Sequence, residues 1–346
     1  MRLGIVGITG LVGEKIIESL KLLKVLDKCS TLRLFASEGS KGRVYKIQNN
    51  DYVCEQFYSS DMKNLDYIIL AVENDIARNI IEAKKLERHN CVIIDNSSEY
   101  RLDNDVPLVI PEININEIMD TKLNKCKQII ANPNCSTTML AMLLAPLMKI
   151  TSIEKVNVST YQAASGAGKK GLDELLEQTK EYVNSKPLTT TFWKKQYVFN
   201  VFSHNSKIGE NFYNQEEMKM VNETRKILST PNLIINPTCI RVPTLTSHCL
   251  SVNVTFDRDV DMNEVYQQLQ KFPGIVIEED YKLNMFPEPI KTSNKTDISI
   301  GRIRPELDVN GMFNNRCWNF FISGDQLLKG AAYNSVQILK LMSDLK

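Results

Sequence analysis

Leu3-Gly4-Ile5-Val6-Gly7-Ile8-Thr9-Gly10-Leu11-Val12-Gly13 is the stretch on which the architecture of this chain turns. Leu3 to Val6 reads as a short apolar strand, and Ile16, Ile17, Leu20 and Leu23 then recur at helical spacing. Between them stand three glycines. Strand, glycine turn and helix together let a backbone approach a pyrophosphate while the helix N-terminus neutralises it. The spacing here, Gly-x-x-Gly-x-x-Gly, is one residue off the usual fingerprint. A dinucleotide site is the expectation, with a plain tight turn as the alternative.

The pattern continues outward from that stretch. Leu32 to Ala36, Tyr67 to Val72 and Val92 to Asp95 are further apolar runs, as expected of parallel strands buried between helix layers. Ile76 to Arg88 supplies a helix between two of them. After the second strand a carboxylate selects NAD through its ribose 2′-OH, and cations select the 2′-phosphate of NADP. Here the loop is Ser37-Glu38-Gly39-Ser40-Lys41-Gly42-Arg43. Two hydroxyls and two cations suit a phosphate and Glu38 suits NAD, so NADP is expected with NAD possible. Asp95-Asn96-Ser97-Ser98 lies past a strand's carboxyl end, where ligands bind in open α/β sheets. Arg101 follows, and an arginine there can grip a phosphate or carboxylate bidentately.

Asn132-Pro133-Asn134-Cys135-Ser136-Thr137 separates an apolar strand from the strongly apolar helical run Met139 to Met148. Cys135 is therefore expected at a helix N-terminus, with Ser136 and Thr137 as capping residues. Free N–H groups and the helix dipole there favour a thiolate, the reactive form of cysteine. A nucleophile needs a base within reach. Of the three histidines, His89 reads as solvent-facing at a polar helix end, and His204 lies in an irregular Ser/Asn-rich loop. His248 immediately precedes an alternating strand, so it is the best-placed base, with a satisfied structural histidine as the alternative. Glu216 and Lys219, at i and i+3, share a helix face.

Beyond Cys135 the texture changes. Val156, Val158 and Thr160 alternate with polar residues, as do Leu250, Val252, Val254 and Phe256, which predicts half-exposed antiparallel strands in a second, α+β domain. One face of that sheet is left for a partner subunit. Asp325 to Leu345 reads as a final helix. With 346 residues and a formal charge of +1, two domains are expected and an electrostatic nucleic-acid or membrane binder is not. No apolar run approaches the roughly 20 residues a membrane span needs. Eight scattered cysteines without a Cys-x-x-Cys pair and only three histidines argue for a reducing cytoplasm and against a metal cluster.

These landmarks together resemble the aspartate-β-semialdehyde dehydrogenases over the whole chain. They run from Gly7–Gly13 through Asp95-Asn96-Ser97-Ser98-Glu99-Tyr100-Arg101 and Asn132 to Thr137. Ser165-Gly166-Ala167-Gly168, Glu216-Glu217-Met218-Lys219, Arg241-Val242-Pro243 with His248, and Lys329-Gly330-Ala331-Ala332-Tyr333-Asn334 complete them. The resemblance implies a Rossmann-type dinucleotide-binding domain over 1–133, completed by a helix at 325–346. It also implies a glyceraldehyde-phosphate-dehydrogenase-like catalytic and dimerisation domain over 134–324, assembled as a homodimer. It implies Cys135 as nucleophile, His248 as acid/base and Gln162 as the residue orienting the acyl intermediate. Arg241 would clamp the substrate α-carboxylate, Glu216 its amino group, and Arg101 and Lys219, assisted by Asn134, a phosphate. Cofactor contacts are implied at Gly7, Thr9, Gly10, Leu11, Val12, Ser37, Ser40, Ser165, Gly166, Ala167 and Gln326. The implied reaction is reversible NADPH-dependent reduction of 4-phospho-L-aspartate to L-aspartate 4-semialdehyde, feeding lysine, threonine, methionine and isoleucine synthesis. Three positions depart from the pattern: Gly39 replaces a common arginine between the loop serines, Gln326 an asparagine, and Leu328 a common cation.

Overall fold

Most strands before Cys135 are short and apolar on both faces, so they can be buried only in a sheet covered by helices on each side. In the computed structural model, which describes residues 1–120, 125, 126 and 128–344, they form an all-parallel sheet. Its strands are β1 (Arg2–Val6), β2 (Thr31–Ala36), β3 (Glu55–Gln56), β4 (Tyr67–Leu70), β5 (Val92–Asp95) and β6 (Ile129–Ala131). The order is β6-β5-β4-β1-β2-β3. Strand order reverses at β1, which is where a crevice opens beyond the carboxyl ends of such strands. Helix α1 (Leu11–Leu22), helix α2 (Asn74–Glu87) and the C-terminal helix Tyr333–Asp344 belong to the same unit. Ile5, Ile16, Leu20, Ile69, Ile94, Val336 and Leu339 share its core.

Contacts divide the chain into Met1–Pro133 with Ala331–Lys346, and Asn134–Gly330. The helical run expected from Asp325 therefore starts later. The Asp325 carboxylate accepts the N–H groups of Leu327 at 2.8 Å and Leu328 at 3.2 Å. A side chain competing in this way for backbone donors favours a turn over a helix. One wide turn, Leu328–Ala332, precedes the helix proper; Leu345 lies outside the described residues. His89 also differs from expectation. Arg88 takes φ 55°, ends α2 and folds the chain back, so His89 is buried with its Nε2 2.7 Å from Glu87 Oε2.

The second unit is a seven-stranded sheet with helices. Its elements are α3 (Cys135–Leu147), β7 (Ile153–Gln162), α4 (Gly168–Val183), β8 (Phe202–Ser203), α5 (Gln215–Ile227), β9 (Ile234–Arg241) and β10 (His248–Phe256). There follow α6 (Met262–Lys271), β11 (Ile275–Ile277), β12 (Ile298–Leu307) and β13 (Phe313–Gly324). The order is β8-β9-β7-β10-β13-β12-β11. The alternating residues Val156, Val158, Leu250, Val252 and Val254 are buried as their pattern predicts. The sheet is mixed rather than antiparallel throughout, because β7 and β9 are joined through α4 and α5 and pair parallel. On the other face an amide ladder crosses four strands, Asn236 to Asn157 to Asn253 to Asn319, at 3.1, 3.4 and 3.1 Å. Among the described residues no helix is long and apolar enough to cross a membrane.

Candidate active site

Sheet register brings three distant side chains to one end of the second sheet. In the parallel β7–β9 pair Gln162 stands opposite Arg241, and in the antiparallel β7–β10 pair Tyr161 stands opposite Cys249, one residue past His248. Gln162, Arg241 and His248 are all buried there.

Helix α3 begins at the same end, with Cys135 as its first residue. The cap is Asn134: its Oδ1 accepts from the N–H groups of Ser136 at 3.0 Å and Thr137 at 3.1 Å. Ser136 and Thr137, expected as capping residues, are thus the capped ones. Asn134 lies where its backbone is still extended, which leaves its side chain free to turn back over the first turn. Helix α5 holds Asn134 twice, through Glu216 Oε1 to its Nδ2 at 2.8 Å and Glu223 Oε2 to its N–H at 2.7 Å. The seven-residue spacing of Glu216 and Glu223 puts both on one helix face; that signal was in the sequence, and Glu223 was missed. Gln162 Nε2 donates to Ser136 Oγ at 2.7 Å and to Glu216 Oε1 at 3.2 Å, and Lys219 Nζ lies 3.3 Å from Glu216 Oε2. Burial raises the Glu216 pKa, yet Lys219 and Asn134 together hold it well below the usual carboxylate range.

Arg241 is held by neutral acceptors. Its Nε donates to Asn205 Oδ1 at 3.3 Å, Nη1 to the Ala163 carbonyl at 3.1 Å, and Nη2 to His204 Nε2 at 2.7 Å. These bonds use three of five guanidinium N–H groups and leave one on each terminal nitrogen, the fork a carboxylate takes bidentately. Trp193 lies under the guanidinium, 5.6 Å from Cζ to the ring centroid. That indole comes from the irregular segment after α4, pinned because Glu174 accepts the Trp193 N–H and Gln178 the Tyr197 N–H. His204, set aside in the sequence reading, is thereby part of the site. As acceptor from an arginine it must be unprotonated at Nε2. A loop histidine gives no periodic signal, and only the fold shows that it faces Arg241.

His248 Nδ1 accepts the Ala163 N–H at 3.0 Å. This hydrogen bond assigns the neutral ring its proton on Nε2, and Nε2 is buried with no partner among the described residues. Two glycines keep the neighbourhood open. A Cβ on Gly166 would lie 2.9 Å from His248 Nε2 and 3.0 Å from Arg241 Nη1, and one on Gly330 would lie 2.6 Å from Cys135 Cβ. Gln326 Nε2 bonds Ser165 Oγ, while Gln326 Oε1 is buried without a partner among the described residues. Ala167 follows Gly166 as the N-cap of α4.

In the first unit, a cavity of about 550 Å³ opens beside the glycine turn, lined by Gly7, Thr9, Gly10, Ser37 and Glu38 among others. Gly7 has φ +91°, and a Cβ there would sit 2.2 Å from the Ala71 carbonyl oxygen. Gly13 lets α1 pack on that turn, since its Cβ would lie 2.3 Å from Gly7 O. Gly10 caps α1 without a side chain, leaving the N–H groups of Leu11, Val12 and Gly13 without intrahelical acceptors. An anion fits there. Ser40 lies in the short turn Glu38–Ser40 outside the cavity lining. Arg101, also in this unit, is buried, with Nε on the Asn132 carbonyl and Nη2 on the Asn96 carbonyl, each at 2.8 Å.

A family model described as semialdehyde dehydrogenase, NAD binding domain, matches residues 2–121. A second, semialdehyde dehydrogenase, dimerisation domain, matches residues 144–329. An aspartate-semialdehyde dehydrogenase of Prochlorococcus marinus is 38% identical, covering 99% of this chain and 96% of its own. One of Bacillus subtilis is 33% identical over 100% and 98%. The chain belongs to the aspartate-semialdehyde dehydrogenase family. Among solved structures, aspartate semialdehyde dehydrogenase II of Vibrio cholerae matches with a TM-score of 0.91 at 33% identity, covering 99% of this chain and 98% of that one.

The two site histidines carry an acid liability. Burial first, then the Arg241 charge, pulls His248 down to about 3 and His204 down to about 4. Unfolded histidine titrates near ~6.5. Between pH ~6.5 and ~4 the unfolded chain takes up protons that the folded site refuses, so stability falls as pH falls. The expected slope is about 1.4 kcal/mol per pH unit for each histidine. Urea midpoints at neutral and mildly acid pH measure it. His204→Asn should remove roughly half of the slope due to the pair, and an unchanged slope would show that His204 titrates normally in the fold.

Proposed function

We propose that this protein catalyses the reversible NADPH-dependent conversion of 4-phospho-L-aspartate to L-aspartate 4-semialdehyde and inorganic phosphate, through a thioester on Cys135. The observation that carries the reading is the convergence at one sheet end of a helix-N1 cysteine, an arginine fork and a histidine Nε2–H, the fork without a carboxylate partner and the Nε2–H without any partner among the described residues.

Arg241 grips the substrate α-carboxylate bidentately, and buried Glu216 accepts from its ammonium. Cys135 stands where the α3 dipole and the Arg241 charge both stabilise a negative sulfur. The thiolate attacks the acyl carbon, a C–S bond forms, the C–O bond to phosphate breaks, and phosphate leaves with the electron pair. Lys219 is a cation for that leaving group. The oxyanion of the addition step meets His248 Nε2–H, a donor already desolvated and unpaired. His248 thus holds its proton at Nε2, and the Ala163 N–H on Nδ1 disfavours the doubly protonated ring. Gln162, anchored to Ser136 and Glu216, orients the acyl group.

The dinucleotide supplies the hydride that takes the acyl group to the aldehyde level. The glycine turn and the free N–H groups of α1 would hold its pyrophosphate. The protein works as a homodimer, the amide-ladder face of the second sheet being the surface it offers a second copy. The reading is tested by mixing the protein with aspartate semialdehyde, phosphate and NADP, then NAD. Dinucleotide reduction that requires phosphate is expected; no reduction with either dinucleotide removes the reading.

A further inference from the structure

We infer that His204 and Ser206 are positioning residues for the substrate α-carboxylate: they tie Arg241 to helix α5 and so fix its fork relative to Glu216. Strand β8 delivers them. Phe202 and Ser203 pair with Arg241 and Ile240 at the end of β9, and the His204 N–H donates to the Cys239 carbonyl at 2.9 Å. That pairing brings the following residues to the guanidinium, where His204 Nε2 lies 2.7 Å from Nη2 and Asn205 Oδ1 lies 3.3 Å from Nε. The other ring nitrogen, Nδ1, is 3.0 Å from Ser206 Oγ. Ser206 Oγ accepts the Glu216 N–H at 3.2 Å and lies 3.4 Å from Oδ1 of Asn214, the N-cap of α5. One continuous chain of hydrogen bonds therefore runs from the start of α5 to the arginine. This role rests on the reading of Arg241 and Glu216 as the pair that takes the substrate carboxylate and ammonium.

Proton counting fixes the direction of that chain. A guanidinium has donors only, so the 2.7 Å contact makes His204 Nε2 the acceptor and puts the proton of the neutral ring on Nδ1. Nδ1–H then donates to Ser206 Oγ. A hydroxyl has one proton and two lone pairs, so Ser206 accepts from His204 and Glu216 and donates to Asn214, with nothing left over. The Ser206 N–H, 3.2 Å from Nδ1, favours the opposite tautomer, but that tautomer sets an Nε2–H against an arginine N–H and costs more. His204 therefore carries its proton on Nδ1 and His248 on Nε2, so the two histidines of the site are opposite tautomers. The bond to His204 engages one N–H of Nη2 and leaves the other for the fork.

Steady-state kinetics with aspartate semialdehyde and with 3-aminopropanal, which keeps the ammonium and lacks the carboxylate, test this role. His204→Leu removes the acceptor. KM for aspartate semialdehyde should rise about tenfold with kcat within about threefold, while kcat/KM for 3-aminopropanal stays within about twofold. His204→Gln returns an acceptor oxygen and should recover KM to within about threefold of the unaltered protein. Equal losses on both aldehydes, or a Gln variant no better than the Leu variant, overturn the inference, because a histidine that only supports the fold gives those results. A second measurement needs neither a stable Leu variant nor turnover. Nitrogen NMR spectra of the full-length protein labelled in its three histidines, with His204 assigned from the signal lost in His204→Gln, should show Nδ1 protonated and Nε2 bare. A proton on Nε2 overturns the inference. Absence of turnover with either dinucleotide fails the functional reading instead, and the spectrum still decides the hydrogen-bond chain.

Discussion

Cys135→Ala is expected to reduce turnover by about 10⁵-fold or more, the scale on which loss of a covalent nucleophile acts. The substitution keeps Cβ, the atom that approaches Gly330, and removes only the sulfur of a half-buried residue. Stability should therefore change by less than about 1 kcal/mol, and the urea midpoint reports whether it does. Cys135→Ser sharpens the test. A hydroxyl must lose its proton to a base to attack, and the Ala163 N–H on His248 Nδ1 leaves Nε2 a donor rather than an acceptor. Serine should therefore be nearly as inactive as alanine. Turnover within tenfold of the unaltered protein in either variant would exclude a Cys135 thioester.

The second large effect is at Arg241. Arg241→Lys keeps a positive charge but loses the planar fork, so a bidentate carboxylate contact becomes a single one. It also leaves the His204 Nε2, Ala163 O and Asn205 Oδ1 acceptors competing for one ammonium. Losing about 4 kcal/mol of substrate-dependent stabilisation corresponds to roughly a thousandfold in kcat/KM. The loss should appear with aspartate semialdehyde and be much smaller with an aldehyde lacking the α-carboxylate. Equal losses on both substrates would mean that Arg241 is a structural cation and not the carboxylate clamp. Dinucleotide binding, read by calorimetry, should be unchanged.

Local chemistry made much of this legible from the residues alone. Gly7 must be glycine because its φ is positive and its missing Cβ makes room for the Ala71 carbonyl; the need for a turn after Val6 shows in the sequence. Alternation along Val156 to Thr160 and Leu250 to Phe256 reveals which face is buried because a strand's period is two. Residues whose role depends on one segment, such as Cys135 at a helix start, can be read in the same way. His204 and Glu223 could not be found with that ease. His89 and His204 are both short-range enigmas, one buried where exposure was expected, the other brought to Arg241 by a loop.

By itself, then, the sequence determined the buried parallel sheet, the inward faces of the alternating strands, the place of the cysteine at a helix start and the chemistry it invites, because those follow from neighbours along the chain. Tertiary structure alone decided that Gln162, Arg241 and His248 share one sheet end, since pairing register is set between strands dozens of residues apart. It also decided that His248 is a neutral donor at Nε2, because that depends on a backbone N–H delivered from residue 163. The physical reason is the same in each case: periodicity and turn chemistry are local, whereas burial, hydrogen-bond partnership and charge environment are properties of the packed chain.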